Sequence, residues 1–537
     1  MKNVVLVLLV AYIVLSGFVG SVGAQAIIDV YPTDDGPTQR SKVEGAEAGD
    51  TVLFHPGTYD AAIFKITNSG NATDYITFKA YDPSDEPVFN MSRWGHFDRS
   101  SDSYFEACTW GLGEWSGGDW GAGDGVVSCT GGESWNRGVF VIWRAGYINI
   151  EDLEFINVHN HDGNGAGIAV NAEGGPVNIR RCKVTYCDFG FGQRQTYNNG
   201  SSLVTVSNCE FAWNGEYPNQ NPPGGHNIYT SGGTVIFEYC YVHDSQCGQL
   251  FHIRNIEATF RYCWFENPYS FMGDMSDIRE NLQCTGCTEP DEQVLTFIGN
   301  IFVDGKLAED PYPNNNIFVM MEGMYDEPLV PDDSPVPQRL NLYYNTFIGQ
   351  SDYASDQYNL ITFSGWGGHE TYLPALYMYN NIFYNVYAPR FLRNQYTGTY
   401  RTREIQNNWL HGSSADYSAF SAWMSNNIFG TDPGFVGGGD YNLNSDSNCR
   451  DQANPTLGEF PGYEYLHNME SQIRESVNDL GAFEYGEATG HKTDTNNDNL
   501  IDMPELMAFI ARWKASDGVS RAEVEEARDI WFSGGVY

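Results

Sequence analysis

The sequence predicts an all-β solenoid followed by a small helical module at the C-terminus. One strand-like motif recurs in ten copies without intervening helical patterns, and the segment 487–537 differs from this repeat. The chain has 537 residues, which is too long for one ordinary domain, but a solenoid of this length forms a single unit. Its 58 glycines and 15% aromatic content favour turns and strands over helices.

The repeated motif reads apolar, x, x, small or polar, x, apolar, as in residues 150–155 and 206–211. Its fourth positions form a column, which consists of Leu153, Cys182, Cys209, Cys240, Cys263, Asn300, Asn345, Asn381, Asn408 and Asn427. Successive members lie 19 to 45 residues apart, a spacing typical of stacked coils whose loops vary in length. Backbone polar groups at the turns of such coils need partners, and stacked Asn side chains supply them.

The first 24 residues are predicted to be a secretory signal peptide. Lys2 supplies the positive charge, residues 4–19 the apolar stretch, and residues 22–24 the small side chains of a cleavage site before Gln25. The alternative is a retained membrane anchor. No later apolar run reaches the ~18 residues that a spanning helix needs, so the mature chain is expected to be extracellular and without a membrane span.

The formal net charge of −40 excludes nucleic acid as an expected partner, because phosphate binding requires clustered Lys and Arg. The same charge disfavours a polyanion that binds everywhere on the surface. An anionic substrate therefore needs a local basic patch.

The eleven cysteines fall into two groups. A small apolar thiol suits the column position, so the four column cysteines are expected to be reduced core residues. In an exported protein the remaining cysteines favour disulfides. The pairings considered are Cys108 with Cys129, Cys284 with Cys287, and Cys187 with Cys247, which leaves Cys449 unassigned.

The repeat, together with the segment 48–59 near its start and 479–485 near its end, resembles the right-handed parallel β-helix, or pectate-lyase-like, superfamily. The resemblance extends over residues 25–486 and implies a single-stranded solenoid domain. It leaves function open, because this superfamily includes lyases, hydrolases, epimerases and non-catalytic surface proteins. Residues 93–137 form a Trp- and Gly-rich insertion, which either stacks on sugar rings or covers the end of the coil.

The segment 494–505 has the ligand spacing of a twelve-residue calcium loop. The predicted Ca²⁺ ligands are Asp494, Asn496, Asp498, the backbone carbonyl of Leu500, Asp502 and Glu505. An amphipathic helix is predicted over 504–514. The following segment 516–520 lacks ligands, so residues 487–537 resemble an EF-hand or dockerin-like module with one complete loop. Such a module implies a scaffold or cell-surface protein as partner.

Counting back 9–11 positions from the column places several polar residues on adjacent coils, namely Arg144, Asn171, Tyr229 or Thr230, and Arg254. The candidate catalytic patch consists of Arg194, His226, Tyr229, His252, Arg254 and Glu322. β-Elimination on a uronic acid requires a cation to neutralise the carboxylate, a base for the C5 proton and an acid for the leaving oxygen. Arg254 and Arg194 suit the first role, and His252 or Tyr229 the proton transfers.

Three functions follow in order of preference. The first is a carbohydrate-active lyase on an extracellular, uronic-acid-containing polysaccharide. The second is a non-catalytic, adhesin-like protein that binds glycans, in which case the arginines are solvated residues paired with the abundant acids. The third is a glycoside hydrolase, which requires two carboxyl groups, and its candidates are Glu322, Asp274, Asp277 and Asp244.

Overall fold

The computed structural model describes residues 25–60, 63–91, 115–116, 119–120, 138–158, 165–194, 202–215, 225–246, 248–269, 272–276, 292–304, 316–324, 338–349, 358–366, 375–386, 391–394, 402–466, 469–474, 478–485, 506–507, 510–511 and 514. Several predictions fall on other parts of the chain. The signal peptide, the calcium loop, most of the 93–137 insertion, and the Cys108–Cys129 and Cys284–Cys287 pairings lie outside the described residues.

Parallel strands stack coil upon coil along three faces, which confirms the predicted all-β solenoid. Two of these faces belong to one 21-stranded sheet and the third is a 12-stranded sheet. The strands His226–Glu238 and Phe251–Arg261 run continuously through the bend between the first and second faces. Within each coil the chain passes from the first face to the second and then to the third.

The three faces have the following strands. The first face contains Phe64–Ile66, Gly138–Ala145, Ala166–Ala172, Phe189–Arg194, the first halves of His226–Glu238 and Phe251–Arg261, Gly273–Ser276, Asn316–Met324, Tyr358–Trp366 and Leu392–Asn394. The second face contains Ile27–Val30, Thr51–Phe54, Ile76–Ala80, Ile148–Glu151, Val177–Arg180, Leu203–Ser207, the second halves of the two long strands, Gln293–Ile298, Gln338–Tyr343, Ala375–Tyr379, Thr402–Gln406 and Met424–Ser425. The third face contains Thr58–Tyr59, Val88–Asn90, Glu154–Ile156, Lys183–Thr185, Glu210–Ala212, Tyr241–His243, Trp264–Glu266, Ile301–Val303, Thr346–Ile348, Ile382–Tyr384, Trp409–His411 and Ile428–Gly430.

The repeated sequence motif occupies the corner between the second and third faces. Its first apolar position lies in the second face, where Ile150 pairs with Ile179 and Ile179 with Val206. Its last apolar position lies in the third face, where Phe155 pairs with Val184. The side chains at both apolar positions point into one continuous apolar core, because alternate strand residues face inward.

The residue before each column position has a left-handed backbone, which turns the chain through this corner. The φ angle is 54° at Asn208, 59° at Asn380 and 58° at Asn407. Such a turn leaves backbone groups without strand partners, and the column side chains bond to them. Asn345 Oδ1 accepts from the backbone N–H of Asn300 at 2.9 Å, and Asn345 Nδ2 donates to a second-face carbonyl. The predicted Asn ladder is therefore confirmed.

The column cysteines are buried free thiols, as predicted. Cys182 N–H lies 3.4 Å from the sulfur of Cys209, so the thiols occupy the acceptor position that Asn fills further along the chain. Burial raises the pKa of these thiols. The pairing of Cys187 with Cys247, which the sequence left open, does not form, because Cys187 is a free buried thiol that packs inside the apolar core. Cys449 is also free and buried.

Other elements cover the coils or follow them. The α-helix Gly36–Glu44 packs against the first strands and begins at Asp35, whose side chain accepts from Thr38 N–H. After a 3₁₀ helix at Ser418–Trp423, the coils end with the third-face strand Ile428–Gly430.

We name residues 431–485 the C-terminal strap. It contains the antiparallel pairs Phe435–Gly437 with Asp440–Leu443 and Tyr463–Leu466 with Glu470–Ile473. A further antiparallel pair, Trp115–Ser116 with Asp119–Trp120, lies within the insertion. Residues 506–507, 510–511 and 514 are helical, within the helix predicted over 504–514. Among the helices that the structure describes, none is both long enough and apolar enough to cross a membrane.

Candidate functional site

The outer side of the first face brings together four of the six predicted site residues. Strand alternation points Ile228, Phe251 and Ile253 into the core, so Tyr229, His252 and Arg254 point outward. Register then places Tyr229 beside His252 on the next coil. His226 lies at the start of the same strand as Tyr229 and contacts the same histidine ring.

His252 connects Arg254 with an acidic residue on the following coil. Arg254 Nε donates to His252 Nε2 at 2.8 Å. His252 Nδ1 lies 2.5 Å from Asp274 Oδ1, in a close pair whose angle is outside that of an ordinary hydrogen bond. Since Nε2 accepts a hydrogen bond from Arg254, an uncharged His252 ring has its proton on Nδ1, facing Asp274. Gln249 Nε2 donates to the other oxygen of Asp274 at 3.3 Å.

Aromatic rings stack beside this chain of polar groups. The ring of Tyr229 lies 4.6 Å from that of His252, and the ring of His226 lies 5.1 Å from His252, both nearly parallel. Phe189 stacks on the opposite side of His226. These contacts fix the ring planes, so the polar atoms have defined directions.

Burial sets the ionisation of the cluster. Arg254, His252 and Asp274 are all less than 10% exposed. Burial raises the pKa of Asp274 to about 8, and the charge of Arg254 opposes part of that rise. Burial also lowers the pKa of His226 well below its ordinary value, with smaller contributions from neighbouring His252 and Arg254. His226 is therefore uncharged at neutral pH.

The other two predicted residues align with this site by backbone position. Arg194 is the register partner of Ser231, which in turn pairs with Arg254. Glu322 is the register partner of Ser276, two residues after Asp274. The side chains of Arg194 and Glu322 lie outside the described part of the structure.

Sequence reasoning treated Asp274 as a hydrolase candidate and missed its pairing with His252. The signal was available in the spacing. Tyr229 and His252 are 23 residues apart, and His252 and Asp274 are 22 apart, close to the 23 residues between Cys240 and Cys263. Counting one coil forward from His252 places Asp274 beside it. Among the described residues, no group of three His, Cys, Asp or Glu side chains is arranged to hold a metal ion.

Comparison with known families supports the fold over part of the chain. A family model described as the right handed beta helix region matches residues 137–322, which contain the polar cluster. A comparison with curated protein sequences found no match.

Solved structures with a similar fold include carbohydrate-active enzymes. Pectate lyase Pel9A is 13% identical over 87% of this chain and 98% of its own, with a TM-score of 0.38. A PL6 family polysaccharide lyase from Pseudopedobacter saltans is 12% identical over 86% and 99%, with a TM-score of 0.35. The GH136 lacto-N-biosidase from Eubacterium ramulus is 12% identical over 71% and 68%, with a TM-score of 0.31.

Proposed function

We propose that this protein is a polysaccharide lyase that cleaves a uronic-acid-containing polymer by β-elimination. The observation that supports this best is the buried Arg254 on the outer side of a long parallel sheet, bonded to His252, which in turn pairs with Asp274. In a chain of net charge −40, a buried and oriented guanidinium is a specific site for a carboxylate. A long flat face also suits a linear polymer.

Each residue then has a role. Arg254 pairs with the C6 carboxylate and stabilises the negative charge that develops when the C5 proton leaves. His252 has one ring nitrogen against Arg254 and the other against Asp274, so it positions the guanidinium rather than moving protons. Tyr229, stacked on His252, acts as a phenolate whose oxygen takes the C5 proton, and the phenol so formed donates that proton to O4 as the C4–O4 bond breaks and the C4–C5 double bond forms.

The test is absorbance near 235 nm during incubation with a panel of uronate polysaccharides, because elimination leaves an unsaturated product. Arg254→Ala is expected to lower kcat/KM at least about 100-fold. Arg254→Lys keeps the charge but loses the planar contact with His252, so its kcat/KM is expected to lie between those of Arg254→Ala and the wild type. Arg261→Ala is the matched control, because Arg261 lies on the same strand and pairs with Glu238 away from the site.

The outcomes separate the candidate functions. Absence of an unsaturated product across the panel, with binding retained, supports the non-catalytic glycan-binding protein. Shorter chains without an unsaturated product support a hydrolase. Hydrolysis is less favoured by the site, because it requires two carboxyl groups and Asp274 is engaged with His252 and Gln249.

We also propose that the chain is exported and that its C-terminal module binds Ca²⁺ and docks the protein to a scaffold or cell surface. The ligand spacing of 494–505 supports the calcium proposal, and residues 1–24 support export. The double variant Asp494→Ala, Glu505→Ala should remove calcium-dependent stabilisation of the full chain. An unchanged calcium titration contradicts the ligand assignment, and a secreted protein that retains residues 1–24 contradicts the cleavage site.

A further inference from the structure

A second polar cluster lies on the outer side of the first face, four coils before Arg254. Its centre is Trp143, which shares the outer side of its strand with Val141. Lys65 Nζ lies 5.3 Å from the centroid of the Trp143 ring, and the guanidinium carbon of Arg144 lies 5.6 Å from it. One tryptophan thus orders two flexible cations by cation–π contact.

A bulge in the strand directs Arg144 to this place. Asn171 on the next coil pairs with Trp143, but Ala172 pairs with Ala145, so Arg144 is an extra residue. Its φ of 53° is in the left-handed region, which a residue with a long side chain rarely adopts. Arg144 Nε lies 3.7 Å from Glu173 Oε1, and the Arg144 side chain is 62% exposed. The strained backbone therefore places an exposed cation against Trp143, the ring that Lys65 also contacts.

Asn171 provides an independent indication of a ligand. Ala169 packs in the same outer cluster that Trp143 contacts, so Asn171, two residues on, also points outward. Asn171 is 4% exposed, yet its side-chain oxygen has no hydrogen-bond partner among the residues that the structure describes. A buried acceptor without a donor is costly unless something binds to it. A sugar hydroxyl supplies such a donor.

Register relates this cluster to the proposed catalytic site. Trp143 pairs with Asn171, and further along the face Arg194 pairs with Ser231 and Ser231 with Arg254. Val170 pairs with Gln193, so Asn171 and Arg194 occupy the same file. Four inter-strand steps separate Trp143 from Arg254, or roughly 19 Å. One step is close to the rise of one pyranose in an extended chain, so about five sugar residues span both clusters.

We propose that Lys65, Trp143, Arg144 and Asn171 form a distal subsite for a uronate residue of the polymer bound at Arg254. The two cations pair with the carboxylate of that residue, and Asn171 Oδ1 accepts one of its hydroxyl groups. This subsite deepens the proposed function and rests on it for the identity of the polymer. It makes recognition depend on chain length, because a short oligomer reaches Arg254 without reaching Trp143.

The test measures Kd for a uronate hexamer and a uronate trimer by calorimetry, using the full chain. Arg144→Ala is expected to raise the Kd of the hexamer about tenfold, the loss of one charge-assisted contact, and to leave the Kd of the trimer unchanged. Lys65→Gln is a second variant with the same expectation. Arg181→Ala is the control, because this exposed arginine is paired with Asp152 on a different face. A neutral glucan hexamer should bind weakly and respond to neither variant.

The results distinguish this proposal from the lyase proposal. An unchanged hexamer Kd in both variants, or an equal change for the trimer, overturns the distal subsite even if the protein makes unsaturated product. Equal weakening of the neutral hexamer overturns the assignment to uronate. If no unsaturated product forms but hexamer binding still depends on Arg144, the lyase proposal fails and the subsite stands.

Discussion

Replacing Asn345 by alanine tests whether the column stabilises the coil through its hydrogen bonds. The side chain makes four of them. Its oxygen accepts from the backbone N–H and the side-chain amide of Asn300, and its amide donates to Phe297 O and Asn381 Oδ1. Asn300 Nδ2 keeps a second acceptor, Phe260 O, but within the described part of the chain the buried Asn300 N–H donates only to the Asn345 oxygen.

One orphaned buried donor costs about 1–3 kcal/mol, and the lost bonds add to this, so Asn345→Ala should lower the free energy of unfolding by about 2–4 kcal/mol. Cys240→Ala removes a sulfur that is only a weak hydrogen-bond donor and acceptor, together with about one methylene of apolar volume, which predicts a loss of about 1 kcal/mol. Urea unfolding of the full chain measures both as changes in midpoint at constant m-value. The reasoning is refuted if Asn345→Ala costs no more than Cys240→Ala.

Three further predictions concern titratable groups. The pKa of Asp274 is raised by burial, so wild-type stability relative to Asp274→Asn should fall as the pH rises from 3.8 to about 8, as shown by unfolding at stepped pH. Burial lowers the pKa of His243, but its bonds to Asp244 and Glu210 outweigh burial and raise it. The charged His243 therefore stabilises the folded chain fully below the ordinary histidine pKa, and this contribution is lost as the pH rises through the raised pKa of His243 in the folded state. In thermal unfolding, His243→Gln should flatten the fall of Tm over that pH range. The column thiols should not react with a thiol reagent until guanidinium unfolds the chain, and rapid native labelling of Cys209 contradicts their burial.

The column was predictable from sequence because its requirement is local. Every coil turns through the same left-handed residue and leaves the same backbone groups to satisfy, so the sequence repeats a small or amide side chain there. Short apolar patterns on either side then define the second and third faces. No information from loops is needed for this inference.

The site was harder to predict because first-face register depends on loop length. The interval from Asn171 to its register neighbour Arg194 is 23 residues, but the interval from Arg194 to Ser231 is 37. Counting back 9–11 positions from the column places Tyr229 or Thr230 beside Arg254, whereas the register neighbour of Arg254 is Ser231, nine positions before Cys240. The bulge at Arg144 shifted the count again, because an extra strand residue has no signature in the apolar pattern.

The C-terminal strap explains why aromatic residues occupy several left-handed positions that favour Asn or Gly. Tyr262 has a φ of 56°, and its hydroxyl accepts from Gly462 N–H of the strap. Tyr344, also at 56°, lies beneath the guanidinium of Arg474. A left-handed conformation costs such residues roughly 1–2 kcal/mol, which packing against the strap offsets.

Where the left-handed residue is Asn, the strap bonds to its side chain instead. Asn208 Nδ2 donates to Met469 O, Asn380 Nδ2 to Asn454 O, and Asn407 Nδ2 to Gln452 O. The strap thus follows the left-handed file along the corner between the second and third faces, which is opposite the first face in a three-sided coil. Since each contact joins the strap to a different coil, strap and coils are expected to unfold together. The contacts that stabilise both lie away from the face that contains Arg254 and Trp143.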